Sequence, residues 1–499
     1  MSKTEDKVKY SPDGRVKGLL YSLILIQIVT AVVMLINLKG TRLVPSKYYG
    51  IAVSAEVIFA LLVIVIKRNK FLAVISALLS VVIIVVNCVG IYYIYKTNDT
   101  INKITNKSVE VTNTVQVFVL NDNKADDIKD ALDYKFVAAK KDAEDSIDKV
   151  IENIKKEYEK DINVKNEEDF IKAIDSLYNE EYDALIINKA YIDILDGIDG
   201  YSDFDKRTKC IYTYIVKEEE ETTTEEATTK KPKKPFNITK DTFNVYISGI
   251  DVEGDVSVKS RSDVNIIASV NPKKHRILLL STPRDFYVPL SISGGSKDKL
   301  THAGLYGVNV SKDTLAMLYD INIRYYVRMN FTGFRNIVNA LGGIDVYSEY
   351  SFSSKGHYYQ QGYNKLDGEA ALWFARERKT FSSGDNQRGK NQMEVIKAVI
   401  DKAQSSAILS NYTQLLDSVS NCMETNMSSD EIAKLVNMQT NSKAKWKVVN
   451  YSVTGSGSSQ YTYTVPGMRA YVMIPDMNTV ETAKDMLKKL KKGKKLTQN

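Results

Sequence analysis

Cysteine and histidine are scarce in these 499 residues. The cysteines Cys88, Cys210 and Cys422 stand far apart, which excludes a cysteine-rich metal site and a disulfide framework, and Cys210 and Cys422 are expected to stay unpaired. His275, His302 and His357 are too few and too dispersed to build a histidine metal site. Any metal would therefore be a hard cation held by carboxylates. The net charge is only +7, of mixed sign, and no zinc-finger or helix-turn-helix spacing occurs, so nucleic acid is not an expected partner. The length speaks against a single domain; two or three are expected.

What the chain does have is uncharged runs near its start. Leu19–Asn37 carries no charge, Tyr49–Ile66 carries only Glu56, and Phe71–Ile94 forms a third apolar stretch. Each is long enough to cross a hydrocarbon core of ~30 Å at ~1.5 Å per residue. A cleaved signal peptide has one shorter apolar core, so three membrane spans are expected within residues 1–95. Lys3, Lys7, Lys9, Arg15 and Lys17 before the first span, with Lys67, Arg68 and Lys70 after the second, outnumber Lys39, Arg42 and Lys47 in the intervening loop. The positive-inside rule then puts the N-terminus in the cytoplasm and everything after Tyr95 outside the cell. Glu56, early in its run, is expected at the membrane interface.

Residues 96–216 alternate strand and helix signals. Val115–Leu120 and Tyr182–Asn188 read as strands, while Ile147, Val150, Ile151, Ile154 and Tyr158 fall on one helical face, as do Phe170, Ile171, Ile174, Leu177 and Tyr178. A small α/β accessory domain is expected, without a catalytic constellation. Residues 217–240, KEEEETTTEEATTKKPKKPFNITK, read as a flexible linker.

The pattern then changes to short apolar strands: Phe243–Ile250, Val264–Val270 and Arg276–Ser281. Charged residues stand at their ends: Asp251, the run Arg261-Ser262-Asp263, and Arg284-Asp285 in STPRD. Strand ends of an α/β sheet are where sites are built. Further on, ARERKTFSSGDNQRGKNQ (375–392) clusters Arg376, Arg378 and Arg388 around Asp385. Alone, that segment fits a solvated basic helix end as well as a site for a phosphate or pyrophosphate. Beside Asp251, Asp263 and Arg284, the anion site is favoured, because guanidinium forks match oxygen-rich anions and never lose their charge.

The blocks ISGID, RSD, PRD, KLTHAGLYG, FTGFRNIVNALGGIDV and LDGEAALWFARERK…GD..R…Q, in that order between Phe243 and about Lys402, resemble the LytR–CpsA–Psr family. Three spans and an accessory domain ahead of them resemble its capsule-associated branch. Trp446 and YVMIPDMNTVETAKDMLKKL look like the closing strand and helix of a mixed α/β/α catalytic domain over 241–495, built on a central sheet. The resemblance implies a magnesium-dependent phosphotransferase, with Mn²⁺ as the alternative ion, on the outer face of a Gram-positive membrane. Such enzymes move teichoic acid or capsular polysaccharide from undecaprenyl pyrophosphate to peptidoglycan. It further implies that Asp251 and Asp263 hold the metal. Arg261, Arg284, Lys299, Arg376, Arg378, Arg388 and Gln392 would contact the pyrophosphate, with Asp263, Arg284, Asp385 and Arg388 in the catalytic group. Asp263 and Asp385 are both candidate bases for the sugar hydroxyl. Phe331, Phe334, Val338 and Leu341 are candidates to line a lipid cavity, with ordinary core as the other reading.

One departure stands out. The family's RxxRQQ run is Arg388-Gly389-Lys390-Asn391-Gln392-Met393 here, so Asn391 replaces an arginine and Met393 a glutamine. Altered preference or rate is expected, with Lys390 supplying nearby charge. Two other readings compete with transfer: hydrolysis of the lipid pyrophosphate, and a non-enzymatic binding or regulatory protein.

Overall fold

The computed structural model describes residues 14–66, 70–105, 110–140, 144–219, 235–252, 256–404, 416–418 and 422–496. The basic residues Lys3, Lys7, Lys9, Lys67 and Arg68 and the linker stretch 220–234 lie outside the described residues. The chain divides into two compact units, 1–103 with 428–444, and 104–427 with 445–499.

The first unit holds α1 (Gly14–Gly40), α2 (Ser46–Ile66) and most of α3 (Lys70–Thr105), all long and apolar enough to cross a membrane. The amphipathic helix Ser429–Ser442 packs with them, where Asp430 pairs with Arg42 at 2.9 Å. The spans differ from expectation in two ways. α3 continues past Tyr95 to Thr105, about 54 Å in all, because YKTNDTINKIT keeps forming helix beyond its apolar run. α2 begins at Ser46, three residues ahead of the apolar run, and Glu56 is near the middle of its 21 residues. It shares this unit with buried Gln27, Ser80 and Asn87; Ser80 Oγ donates to Gln27 Oε1 at 3.0 Å. Polar groups at such depth face other helices because lipid offers them no partner.

The second unit contains two large sheets, beside four two-stranded ones among the described residues. The first is built from β1 (Glu110–Leu120), β2 (Lys135–Ala139), α4 (Glu144–Tyr158), β3 (Asn163–Glu167), α5 (Phe170–Tyr178), β4 (Ala184–Asn188) and β5 (Thr208–Glu219), with strand order β3-β2-β4-β1-β5. Its helical stripes bury Ile147, Val150 and Ile154 from α4 and Ile174 and Leu177 from α5. This core also takes in Leu305 and Val465 from the other half of the unit. The end of the expected linker is structured as well. Phe236 lies under the Arg324 guanidinium at 4.3 Å and Ile238 is buried.

The second sheet carries β6 (Phe243–Ile250), β7 (Ser262–Asn271), β8 (Arg276–Ser281), β9 (Tyr325–Asn330), β10 (Met423–Thr425) and β11 (Lys447–Ser452) in the order β10-β9-β6-β7-β8-β11. β9 runs parallel to β6 and β11 parallel to β8; the other neighbours are antiparallel. The closing strand is therefore KVVNYS, directly after Trp446, and not YVMIP. Arg469–Pro475 instead pairs with Gly455–Tyr461 in a separate hairpin. α6 (Val308–Tyr319) and α10 (Met477–Lys491) cover one face of the sheet through Tyr246, Ile267, Leu278 and Leu280. α7 (Phe331–Ala340), α8 (Gly368–Arg376) and α9 (Asp385–Ala403) lie over the other. These three helices and the strands around 344–366 form their own core, from Val338, Ile344, Phe352, Tyr359, Phe374 and Val395. Among the described residues, no side chain of the six strands belongs to that core. The sheet and this helix layer thus leave space between them.

Candidate active site

The space is a cavity of about 640 Å³, within the size range of small-molecule sites. Its floor follows from strand alternation. Val245, Ile247 and Gly249 on β6 point to the same face as Val327 and Met329 on β9, with Val327 beside Ile247 and Met329 beside Gly249. The neighbouring Tyr246 points the other way, into the α6/α10 core. Phe331, Phe334 and Ile337 from α7 and Val395, Ile396, Val399 and Ile400 from α9 close the apolar end. Of the residues expected to line a lipid cavity, Phe331 and Phe334 do so. Val338 and Leu341, at 0% and 2% exposure, are core instead, because α7 turns them away from the sheet.

At the other end the wall becomes charged. Asp251, Arg261, Asp263, Arg284, Lys299, Arg376, Arg378, Arg388 and Gln392 all line the same cavity. They come from strand ends, loops and helix termini that lie far apart in sequence. Close backbone packing brings two of these segments in. A Cβ on Gly304 would lie 2.5 Å from the Ser260 carbonyl oxygen, and one on Gly389 would lie 2.6 Å from Ser281 Oγ. Only glycine lets the turn after Lys299 meet the strand carrying Arg261, and lets α9 seat Arg388 against the end of β8.

Asp263 is the centre of the charged end. Arg284 Nη1 donates to both of its carboxylate oxygens, at 3.0 and 2.9 Å, and Thr301 Oγ1 donates at 3.2 Å. Burial pushes this carboxyl up, but Arg284, then Arg388 and Arg261, outweigh burial and hold it below the usual carboxylate range. Arg284 itself is held above its ordinary value: burial lowers it, but Asp263 and Asp285 raise it more. Its Nε is buried 3.6 Å from Asp285 Oδ2, without a hydrogen-bond acceptor among the described residues. A buried guanidinium donor in that condition suits an incoming anionic oxygen.

Lys299 Nζ lies 3.9 Å from Asp285, and burial depresses its pKa while that carboxylate opposes the shift. Arg376 reaches Asp251 at 3.4 Å, with its guanidinium 4.2 Å above the Phe331 ring and 5.0 Å from that of Trp373. Arg378, largely exposed, has its pKa lowered by partial desolvation on the cavity side and by repulsion from Arg284 and Arg388. The wall thus holds more positive charge than its carboxylates neutralise.

Asp385 does not line this cavity. It lines a small adjoining niche that shares Asp263, Arg284, Arg388 and Gln392 with the cavity, in contact with Arg388 one turn along α9. Burial pushes its carboxyl above the usual range, against the pull of Arg388. The departure from RxxRQQ also falls off the wall. Asn391 is buried and donates to the Phe374 carbonyl at 3.3 Å, Met393 is 1% exposed, and Lys390 points outward to Glu349 at 3.1 Å. Gln392, between them, keeps its place on the wall and donates to the Ala375 carbonyl at 3.3 Å.

Asp285, noted at its strand end, also lines the cavity, and Thr301 joins it without having been singled out, although its place in KLTH beside Lys299 was an available signal. Ile194 and Gly197 also line the cavity, from a turn of the accessory half, and no local pattern marks them.

The LytR_cpsA_psr family profile matches residues 210–488, more than half of the chain. The chain belongs to the LytR-CpsA-Psr family. A second profile, for a DNA polymerase processivity factor, matches 68–187, a range that starts before α3 and ends inside β4. The polyisoprenyl-teichoic acid–peptidoglycan teichoic acid transferase TagU of Enterococcus faecalis is 38% identical over 198 residues, covering 39% of this chain and 65% of that protein. TagU of Oceanobacillus iheyensis is 33% identical over 242 residues, covering 47% of this chain and 72% of its own. A solved structure of TagT bound to LI-WTA is 30% identical, covering 52% of this chain and 95% of that one at a TM-score of 0.42.

Proposed function

We propose that this LytR-CpsA-Psr protein transfers a glycopolymer, teichoic acid or capsular polysaccharide, from a polyprenyl-pyrophosphate carrier to peptidoglycan. The observation that carries this reading is the two-ended cavity: apolar side chains on β6, β9, α7 and α9 run without interruption into the arginine wall. That sequence of surfaces matches a lipid tail joined to a pyrophosphate. Burying each CH₂ of the tail is worth about 0.8 kcal/mol. The named relatives act on the same class of substrate, and undecaprenyl is the carrier that the family resemblance supplies. The basic-residue asymmetry of the first 70 residues supports a cytoplasmic N-terminus, with the second unit on the outer face.

In this reading the acceptor hydroxyl of peptidoglycan attacks the phosphorus bearing the polymer. The bridging P–O bond breaks, the hydroxyl proton passes to a nearby carboxylate and on to solvent or the departing phosphate, and polyprenyl phosphate leaves with its tail still in the apolar end. Arg261, Arg284, Lys299, Arg376, Arg378 and Arg388 neutralise the phosphate oxygens as charge moves onto them, from positions already held by packing and ion pairs. Asp385 contacts Arg388 from an adjoining niche that shares Asp263, Arg284 and Arg388 with the cavity. Asp263 and Asp385 are the two carboxylates placed to take the hydroxyl proton, while the arginines supply charge stabilisation and positioning.

Among the described residues no three or more His, Cys, Asp or Glu converge on one point. Asp251 and Asp263 nevertheless line one wall, and Asp263 is kept ionised. Two carboxylates fit Mg²⁺, which takes few protein ligands and keeps phosphate oxygens and water for the rest. Bound there, the ion would add positive charge beside the pyrophosphate.

The test supplies the purified chain with Mg²⁺, a carrier-linked polymer and peptidoglycan fragments. Polymer on the fragments with release of polyprenyl phosphate supports transfer; release with free polymer phosphate alone supports hydrolysis and overturns it.

A further inference from the structure

The accessory half reaches the active-site cavity itself. Ile194 and Gly197 line it, and the Lys299 ammonium lies 3.7 Å from where a Cβ on Gly197 would stand. The accessory half that carries this turn meets the catalytic half at two other places. Near the start of β1, Thr112 N donates to the Ser257 carbonyl at 3.1 Å, Lys259 N donates to the Thr112 carbonyl at 3.1 Å, and the two hydroxyls of Thr112 and Ser257 meet at 2.8 Å. Arg328 Nη2 holds the Val258 carbonyl from the other side at 2.5 Å, three residues before Arg261. Leu305, just past Lys299, is buried in the accessory core. The accessory half is thereby anchored on both stretches that deliver cations to the wall.

We propose that the 194–197 turn is a specificity-determining rim that selects the sugar attached to the pyrophosphate. This rests on the lipid-pyrophosphate reading above. With the tail in the apolar end, the other substituent must leave from the charged end, where Ile194 and Gly197 stand beside Lys299. Gly197 keeps that exit open: a methyl group there would make only ordinary contact, whereas a larger side chain must extend into the passage. Ile194, 3% exposed, holds the turn in the accessory core, and the exposed Gly197 presents its backbone at the rim, which suits the polar groups of a sugar.

The experiment measures binding of two probes to the full chain in detergent: a polyprenyl pyrophosphate, and the same lipid bearing one N-acetylhexosamine. Gly197→Ala should bind both as the wild type does. Gly197→Phe should bind the bare lipid within twofold and the sugar-bearing lipid at least tenfold more weakly, with an unchanged melting temperature. Gly197→Asn carries the same comparison with smaller bulk, should the Phe variant melt early. Equal loss for both probes, or no loss for either in folded variants, overturns the rim while leaving the pyrophosphate site standing. A wild type that binds neither probe sinks both readings.

Discussion

Removing Arg284 tests the charged wall at its centre. The guanidinium is 16% exposed, donates twice to Asp263 at 3.0 and 2.9 Å, and lies 3.6 Å from Asp285. In Arg284→Ala, Asp263 keeps Thr301 as its hydrogen-bond donor among the described residues, and burial is opposed only by the unbonded Arg388 and Arg261. Breaking a pair at this depth by deleting one partner costs about 3–5 kcal/mol, mostly from the carboxylate left behind. At roughly 2–4 °C per kcal/mol for a unit of a few hundred residues, the melting temperature should fall by roughly 6–20 °C. Asp263→Ala alone should cost less, because Arg284 can turn to Asp285. The double variant should recover much of the loss, giving a coupling of about 2 kcal/mol or more in a double-mutant cycle. Melting of the full chain in detergent, followed by intrinsic fluorescence, measures all four corners. Additivity within about 0.5 kcal/mol would refute the claim that these two side chains act as one buried pair.

Three further outcomes are expected. Ile247→Trp, on the cavity floor, should weaken polyprenyl pyrophosphate binding at least tenfold while leaving inorganic pyrophosphate binding within twofold, as read by calorimetry. Asn391→Arg, which restores the family residue, should lower stability by about 2 kcal/mol or more and not raise activity, since the position is buried against the Phe374 carbonyl. Asp298 is 0% exposed and accepts from Thr464 N at 2.8 Å, with His302 Nδ1 at 2.7 Å. Burial pushes its carboxyl up, but His302 and Thr464 hold it below the usual range. A depressed carboxyl adds stability above the unfolded value near pH 4 and loses it as pH falls through the folded one. Asp298→Asn should therefore melt well below the wild type at pH 7, with the gap closing as the pH drops below about 4.

Much of the charged wall was legible because its parts carry local patterns. Apolar strands ending in Asp or Arg mark a sheet edge, and an arginine cluster marks an anion. What was not legible depends on distance. Asp385 belongs to the arginine segment, yet the first turn of α9 places it in a niche adjoining the cavity. Asn391 and Met393 look like site residues from their neighbours, but their helical phase puts them in the interior. YVMIP reads as a better sheet strand than KVVNYS, although the sheet edge beside β8 takes the latter. The reach of Ile194 and Gly197 into the cavity depends on how two halves dock, and no periodicity records that. α2 starts at Ser46, ahead of the apolar run, because its polar first turn still forms helix.

The central claim is that the arginine-ended cavity holds a polyprenyl pyrophosphate. Native mass spectrometry of the full chain released from its own membranes tests this most directly. A bound polyprenyl phosphate or pyrophosphate, present in the wild type and lost in Arg388→Ala, is the predicted result. A wild type that carries no such lipid and takes none up when it is supplied would contradict the account.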